Sequence, residues 1–278
     1  MIPAYLLALR EGLEAALIIG VVFGTLRKIN REELKPVVWI GVGGAILVSF
    51  VVAAVLHLVG VSLEGRAEAI FEGVAMLLAA GILTWMIFWM RDQASNLSAV
   101  LASDVTRAAL QSGAWTLFLV AFLAVVREGI ELALFLTATS LSAGTQATLI
   151  GAALGLITVI VLAWAFFSSL IKLNVAQFFN VTSVLLVIFA AGLVAHGIHE
   201  FNEAGIIPAV VEHLWDINFI LDEDSYLGLI LKTLVGYNGN PSLTEVLAYV
   251  AYYVSLFLYL RRREERLVLH QDAEAAAS

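Results

Sequence analysis

Seven stretches of this chain are long and apolar enough to cross a lipid bilayer, at about 3–26, 37–60, 68–90, 114–139, 147–171, 176–201 and 242–261. A helical crossing takes roughly 20 such residues. Inside hydrocarbon every backbone N–H and C=O must find a partner within the protein, so only helices and closed barrels span. Runs of this length select the helix. The prediction is an all-α integral membrane protein of seven transmembrane helices. Composition agrees: 61% of residues are hydrophobic and 14% charged, against roughly 45–50% and 25% in soluble domains.

The connections set an orientation. Eleven of the fifteen Lys and Arg residues fall on one side: Arg27, Lys28, Arg31, Lys35, Arg91, Arg107, Lys172, Arg261, Arg262, Arg263 and Arg266. The opposite side holds only Arg66 and Lys232. Cytoplasmic loops carry the basic excess, which puts the N-terminus outside and the C-terminus in the cytoplasm of a cell (inner or plasma) membrane. The apolar N-terminus has no basic leader and is read as a retained helix. The tail after Arg266 is expected to be disordered. The net charge of −8 comes from acids outside the bilayer and at a few intramembrane positions, and no nucleic-acid partner is expected.

The sequence repeats itself. "REGLE" at 10–14 returns as "REGIE" at 127–131, 117 residues on, and "LLAAGILTW" at 77–85 resembles "IFAAGLVAH" at 188–196. Three crossings are an odd number, so the second copy must be inserted upside down, as in many secondary transporters. The organisation predicted is 1–90 as the first three-helix repeat and 91–201 as the second, inverted one. Residues 202–241 form an external acidic segment with short helices on the outer surface, and 242–278 hold a seventh helix and cytoplasmic tail.

The repeated motif puts charge where charge is expensive. Residues three and four apart share a helix face, so Arg10, Glu11 and Glu14 present one cation and two carboxylates from one turn. Arg127, Glu128 and Glu131 do the same. Each charge near the bilayer centre costs about 2.5–3.5 kcal/mol on insertion scales, so six left unpaired would cost on the order of 15–20 kcal/mol. The two motifs must therefore meet each other, water or a ligand. Meeting, they leave two carboxylates without a guanidinium, and that excess attracts a cation. Oxygen donors favour hard ions such as magnesium, manganese or iron. The chain has no Cys, and none of its four Met residues lies in the motifs. Arg10 and Arg127 are read as charge balancers. Glu72, His199 and Glu200 are further candidate ligands near the outer ends of the third and sixth spans. Glu68, Asp216, Asp222, Glu223 and Asp224 would line an acidic external approach.

Paired REGxE motifs in the first and fourth of seven spans resemble the oxidase-dependent iron permeases, the fungal high-affinity iron permeases and their bacterial counterparts. "EGVAMLLAAGILTWMIFWM", "GLVAHGIHEFNEAG" and "EHLWDINFILDEDSYLGLILKTLVGYNGNPSLTEVLAYVAYY" extend the similarity across nearly the whole chain. The resemblance implies that Glu11, Glu14, Glu128 and Glu131 handle iron, with Arg10 and Arg127 beside them. It also implies import of iron, commonly iron(III) produced by a partner oxidase. The chain contains no multicopper or haem motif, so an oxidase or iron-binding protein would be separate, docking at the acidic segment 212–224. Iron would be substrate rather than a permanent cofactor, and the bilayer and a homo-oligomer are the remaining partners considered. Two alternatives stay open: a carrier of another cation (manganese, iron(II) or lead), and a membrane-embedded di-metal enzyme. No nucleophile or substrate pocket supports the enzyme.

Overall fold

The computed structural model describes residues 1–93, 97–167, 175–223 and 225–277. Among them are α1 (Ile2–Lys28), α2 (Lys35–Ser62), α3 (Arg66–Gln93), α4 (Leu97–Arg107), α5 (Ala114–Ala143), α6 (Thr145–Phe167), α7 (Val175–Glu203), α8 (Tyr226–Val235) and α9 (Leu243–Ala277). No strand occurs among the described residues. Proline stands in the first turn of α1 and of α2, where its fixed φ suits the helix and its missing N–H is not needed. Arg27 and Lys28 close α1, favourably placed against the carbonyl end of the helix dipole.

Helices α2, α3, α6, α7 and α9 are long and apolar enough to cross a membrane. Helices α1 and α5 have 27 and 30 residues, ample length at about 1.5 Å per residue. What sets these two apart is the Arg-Glu-Gly-x-Glu motif near the middle of their apolar sequence.

Two apolar cores hold the bundle, and both run through the motif helices. Leu7, Met76, Leu83, Phe135, Phe189 and Leu193 join α1, α3, α5 and α7. Val22, Leu26, Val38, Val105, Leu117 and Val125 join α1, α2, α4 and α5. Helix α1 packs along α6, α5 along α2, and α3 along α7, while α1 and α5 meet each other. The outward side of α2, with Leu47, Phe50 and Leu58, is exposed, as suits a surface that lipid covers.

Two elements depart from expectation. The link between the third and fourth spans contains α4, which buries Val105 and continues into a π-helical turn, Ala108–Ser112, burying Ala108 and Ala109. The tail expected to be disordered continues α9 as helix to Ala277. It is rich in Ala, Glu and Leu, all strong helix formers, and it extends a helix already nucleated. Helix α8 packs one side against α7, α5 and α1 and leaves Leu227, Leu229 and Ile230 exposed on the other. Ser225 caps it by accepting from the Gly228 N–H at 3.0 Å.

Candidate cation site between α1 and α5

Arg10, Glu11 and Glu14 project from one turn of α1 and are all buried, as are Glu128 and Glu131 on α5. The antiparallel meeting of the helices brings the motifs together. One carboxylate oxygen each from Glu11, Glu128 and Glu131 lies within 4.8 Å of the other two. Three oxygens at such spacing surround a point about 2–3 Å from each, the bond-length range of oxygen-ligated ions. Both carboxylate oxygens of Glu11, Oε2 of Glu128 and Oε2 of Glu131 are buried without a hydrogen-bond partner in the protein. Buried acceptors are nearly always paired, so four at one place mark a site shaped for something positive.

The fourth motif carboxylate is engaged differently. Glu14 accepts from Arg10 Nε at 3.1 Å, and it lies within electrostatic range of Glu131 and Arg127. Arg127 donates through Nε to Glu131 Oε1 at 2.9 Å and lies 3.9 Å from Glu128 Oε1. Each arginine thus bonds the second carboxylate of its own motif, one turn along the same face. The full set of six carries a formal charge of −2 when ionised.

The motif glycines set the helix spacing. A Cβ on Gly12 would lie 2.7 Å from Val159 Cγ2 of α6, and one on Gly129 would collide with Ser49 of α2. Only glycine lets α6 and α2 approach so closely beside the acids. The same packing role recurs in both copies.

A second group of acids gathers where the start of α3 meets the end of α7. Glu68, Glu72, Glu200 and Glu203 are within mutual electrostatic range there. Both ring nitrogens of His199 are engaged, Nδ1 with Glu245 Oε1 at 3.0 Å and Nε2 with Glu203 Oε1 at 3.3 Å. His196 donates from Nδ1 to the Gly192 carbonyl at 2.9 Å, leaving Nε2 buried without a partner. The predicted external acids do not converge. Asp216 is exposed and its carboxylate accepts from the Asn218 N–H; Glu223 pairs with Lys232 at 3.7 Å and accepts from the Gly239 N–H. Asp222 is exposed in the turn before α8. Asp224 lies outside the described residues.

Sequence reading passed over Glu245, which is buried and fully engaged. It bonds His199, accepts from Asn238 Nδ2 at 2.9 Å and from the Ser242 N–H at 3.0 Å, while its own N–H reaches Ser242 Oγ. This is a capping box, signalled by the Ser-x-x-Glu spacing of 242–245. Trp89 and Trp85 were also passed over. The Arg127 guanidinium carbon stands 4.4 Å from the Trp89 ring centre and 6.0 Å from that of Trp85.

Long apolar helices around buried carboxylate oxygens without partners define the class: a multi-pass membrane protein. The family model described as "Iron permease FTR1 family" matches residues 1–262, and the chain belongs to that family. It is 35% identical over 281 residues to the ferrous iron permease EfeU of Escherichia coli O6:K15:H31 (strain 536), covering 100% of this chain and 99% of the relative. The Yersinia pestis ferrous iron permease EfeU is 33% identical over 257 residues, covering 91% of each chain. A protein named putative inactive ferrous iron permease EfeU, from E. coli strain K12, is 35% identical over 257 residues, 91% of this chain and 93% of that one. No solved structure matches. Membership of the family makes iron the substrate class and transport the activity.

Proposed function

We propose that the chain imports iron through the Glu11–Glu128–Glu131 cluster, with Glu14 held in reserve by Arg10. The observation that carries this reading is the set of buried carboxylate oxygens without partners, contributed by both copies of one motif. A dehydrated cation recovers there the oxygen ligands that it loses on leaving water. Glu68, Glu72, Glu200 and His199 form an outer stage that concentrates cations at the mouth. His199 serves it by fixing Glu203 and Glu245.

The crossed packing of α1 with α6 and α5 with α2 supports the inverted repeat, because exchanging the two units maps one contact onto the other. On this reading α1 and α5 also span, giving seven crossings. Basic residues place the N-terminus outside. The repeats would expose the shared site alternately to the two faces.

Iron(II) is the ion proposed, supported by the printed names of the relatives. Iron(III) from a separate oxidase is the second reading, favoured by a cluster made only of carboxylates, which suits a harder ion. Uptake of radioactive iron into proteoliposomes tests both, with ferrous iron kept reduced by ascorbate or ferric iron supplied as citrate. Glu11→Gln and Glu128→Gln should abolish uptake of the transported form. Unchanged uptake in both variants would remove the site. Uptake from ferric citrate alone would select the second reading.

A further inference from the structure

The two motifs match in sequence but not in surroundings. The Arg10 side chain is fully buried, whereas 34% of the Arg127 side chain is exposed. Arg127 lies over Trp89, whose ring stacks against Trp85 with centres 6.3 Å apart and planes 29° from parallel. An arginine face on indole is the favoured cation–π arrangement. Arg127 bonds Glu131 through Nε and stands 3.9 Å from Glu128, while its Nη2 is buried without a hydrogen-bond partner.

Register sharpens the asymmetry. Aligning the shared "AAG" of α3 and α7 puts His196 opposite Trp85 and Glu200 opposite Trp89. Helix α7 carries ligand-type groups where α3 carries rings. Gly73, near the start of α3, packs against Gly197 and Phe201, near the end of α7, so the helices run antiparallel. Trp89 is therefore about 25 Å along α3 from Glu72, at the end away from the outer acids.

We infer that Trp89 is a positioning residue for Arg127: its ring holds the guanidinium to the side, so that Glu11, Glu128 and Glu131 stay open to a cation. Without the ring, the guanidinium swings onto Glu128 Oε2 and the Glu11 carboxylate, which have no hydrogen-bond partner, and competes with metal for the same carboxylates. Charge balance across the six residues is kept either way. What the indole controls is where the positive charge rests. The inference rests on the carboxylate cluster being the metal site.

Manganese(II) binding to the full-length permease in detergent, followed by electron paramagnetic resonance, tests it. Trp89→Leu should weaken binding about three- to tenfold, the range of an exposed to partly buried cation–π contact. Trp89→Phe keeps a smaller ring and should weaken it about twofold. If the leucine variant does not fold, the phenylalanine variant decides, and no loss of affinity there overturns the inference. The decisive arm is the cycle with Arg127→Gln. In that background Trp89→Leu should change nothing further, because the ring has no guanidinium to hold. An equal loss in both backgrounds would make Trp89 a packing residue and overturn the proposal. If Glu128→Gln binds manganese as tightly as wild type, the carboxylate site is wrong and the inference falls with it.

Discussion

Two buried glutamates show how differently a membrane protein uses the same side chain. Glu245, at the start of α9, has its carboxylate bonded by His199, Asn238 and Ser242. Glu11, in the middle of α1, has two buried oxygens and no hydrogen-bond partner for either. Satisfied burial fixes structure, since each of those bonds ties α9 to α7 or to the preceding turn. Unsatisfied burial is a standing cost that the fold retains only where a ligand repeatedly relieves it. Proximity to a carboxylate is therefore a poor guide to function, and the tally of its partners a good one.

The contrast breaks first at the cluster. Glu11→Gln combined with Glu128→Gln should lower iron uptake about 100-fold or more, because two formal charges vanish from a low-dielectric site. Thermal unfolding in detergent should stay near wild type or rise. A large loss of stability there would mean that these acids hold the fold as Glu245 does. Glu245→Ala should do the opposite. It should cost about 2–4 kcal/mol by stranding three donors, while uptake per folded molecule is largely kept.

Gly129→Ala sharpens the comparison at the backbone. Its methyl group meets Ser49, and the overpacking should cost about 1–3 kcal/mol. Adding Ser49→Gly should restore both melting temperature and uptake. Failure of that rescue would show that Gly129 matters for something other than helix spacing. The smallest effect is expected at the second acidic group, where α3 begins and α7 ends. Glu200→Gln should raise the iron concentration for half-maximal uptake about two- to fivefold, as fits the loss of one half-buried carboxylate from a group of four. The shift should shrink at high salt.

Much of this was legible in the chain itself. The predicted 3–26 and 37–60 became Ile2–Lys28 and Lys35–Ser62, because a run of apolar residues has one way to satisfy its backbone in lipid. The motif acids were equally readable, since three charges inside such a run demand company. What the sequence concealed depends on distance along the chain. Glu245 meets His199 across 46 residues, and Trp89 meets Arg127 through a ring face that no spacing rule encodes. Short amphipathic α4 and α8 lack the length that makes a span conspicuous. The close approach of α6 to Gly12 and of α2 to Gly129 is set by Val159 and Ser49, which lie far along the chain from the glycines they meet.

The crossed pairing has a consequence for biosynthesis. Helix α1 is made first, yet its partners α5 and α6 begin only at Ala114 and Thr145. At about 5–20 residues per second, Glu128 follows Glu11 after on the order of 10 s. Through that interval Arg10 and Glu14 can pair within α1, but Glu11 has nothing on α5 to meet. The nascent first helix is thus a poor lipid solute, better kept at the translocon or shielded by an insertase until its counterpart arrives. Late release of α1 into the bilayer is the order of assembly that this packing favours.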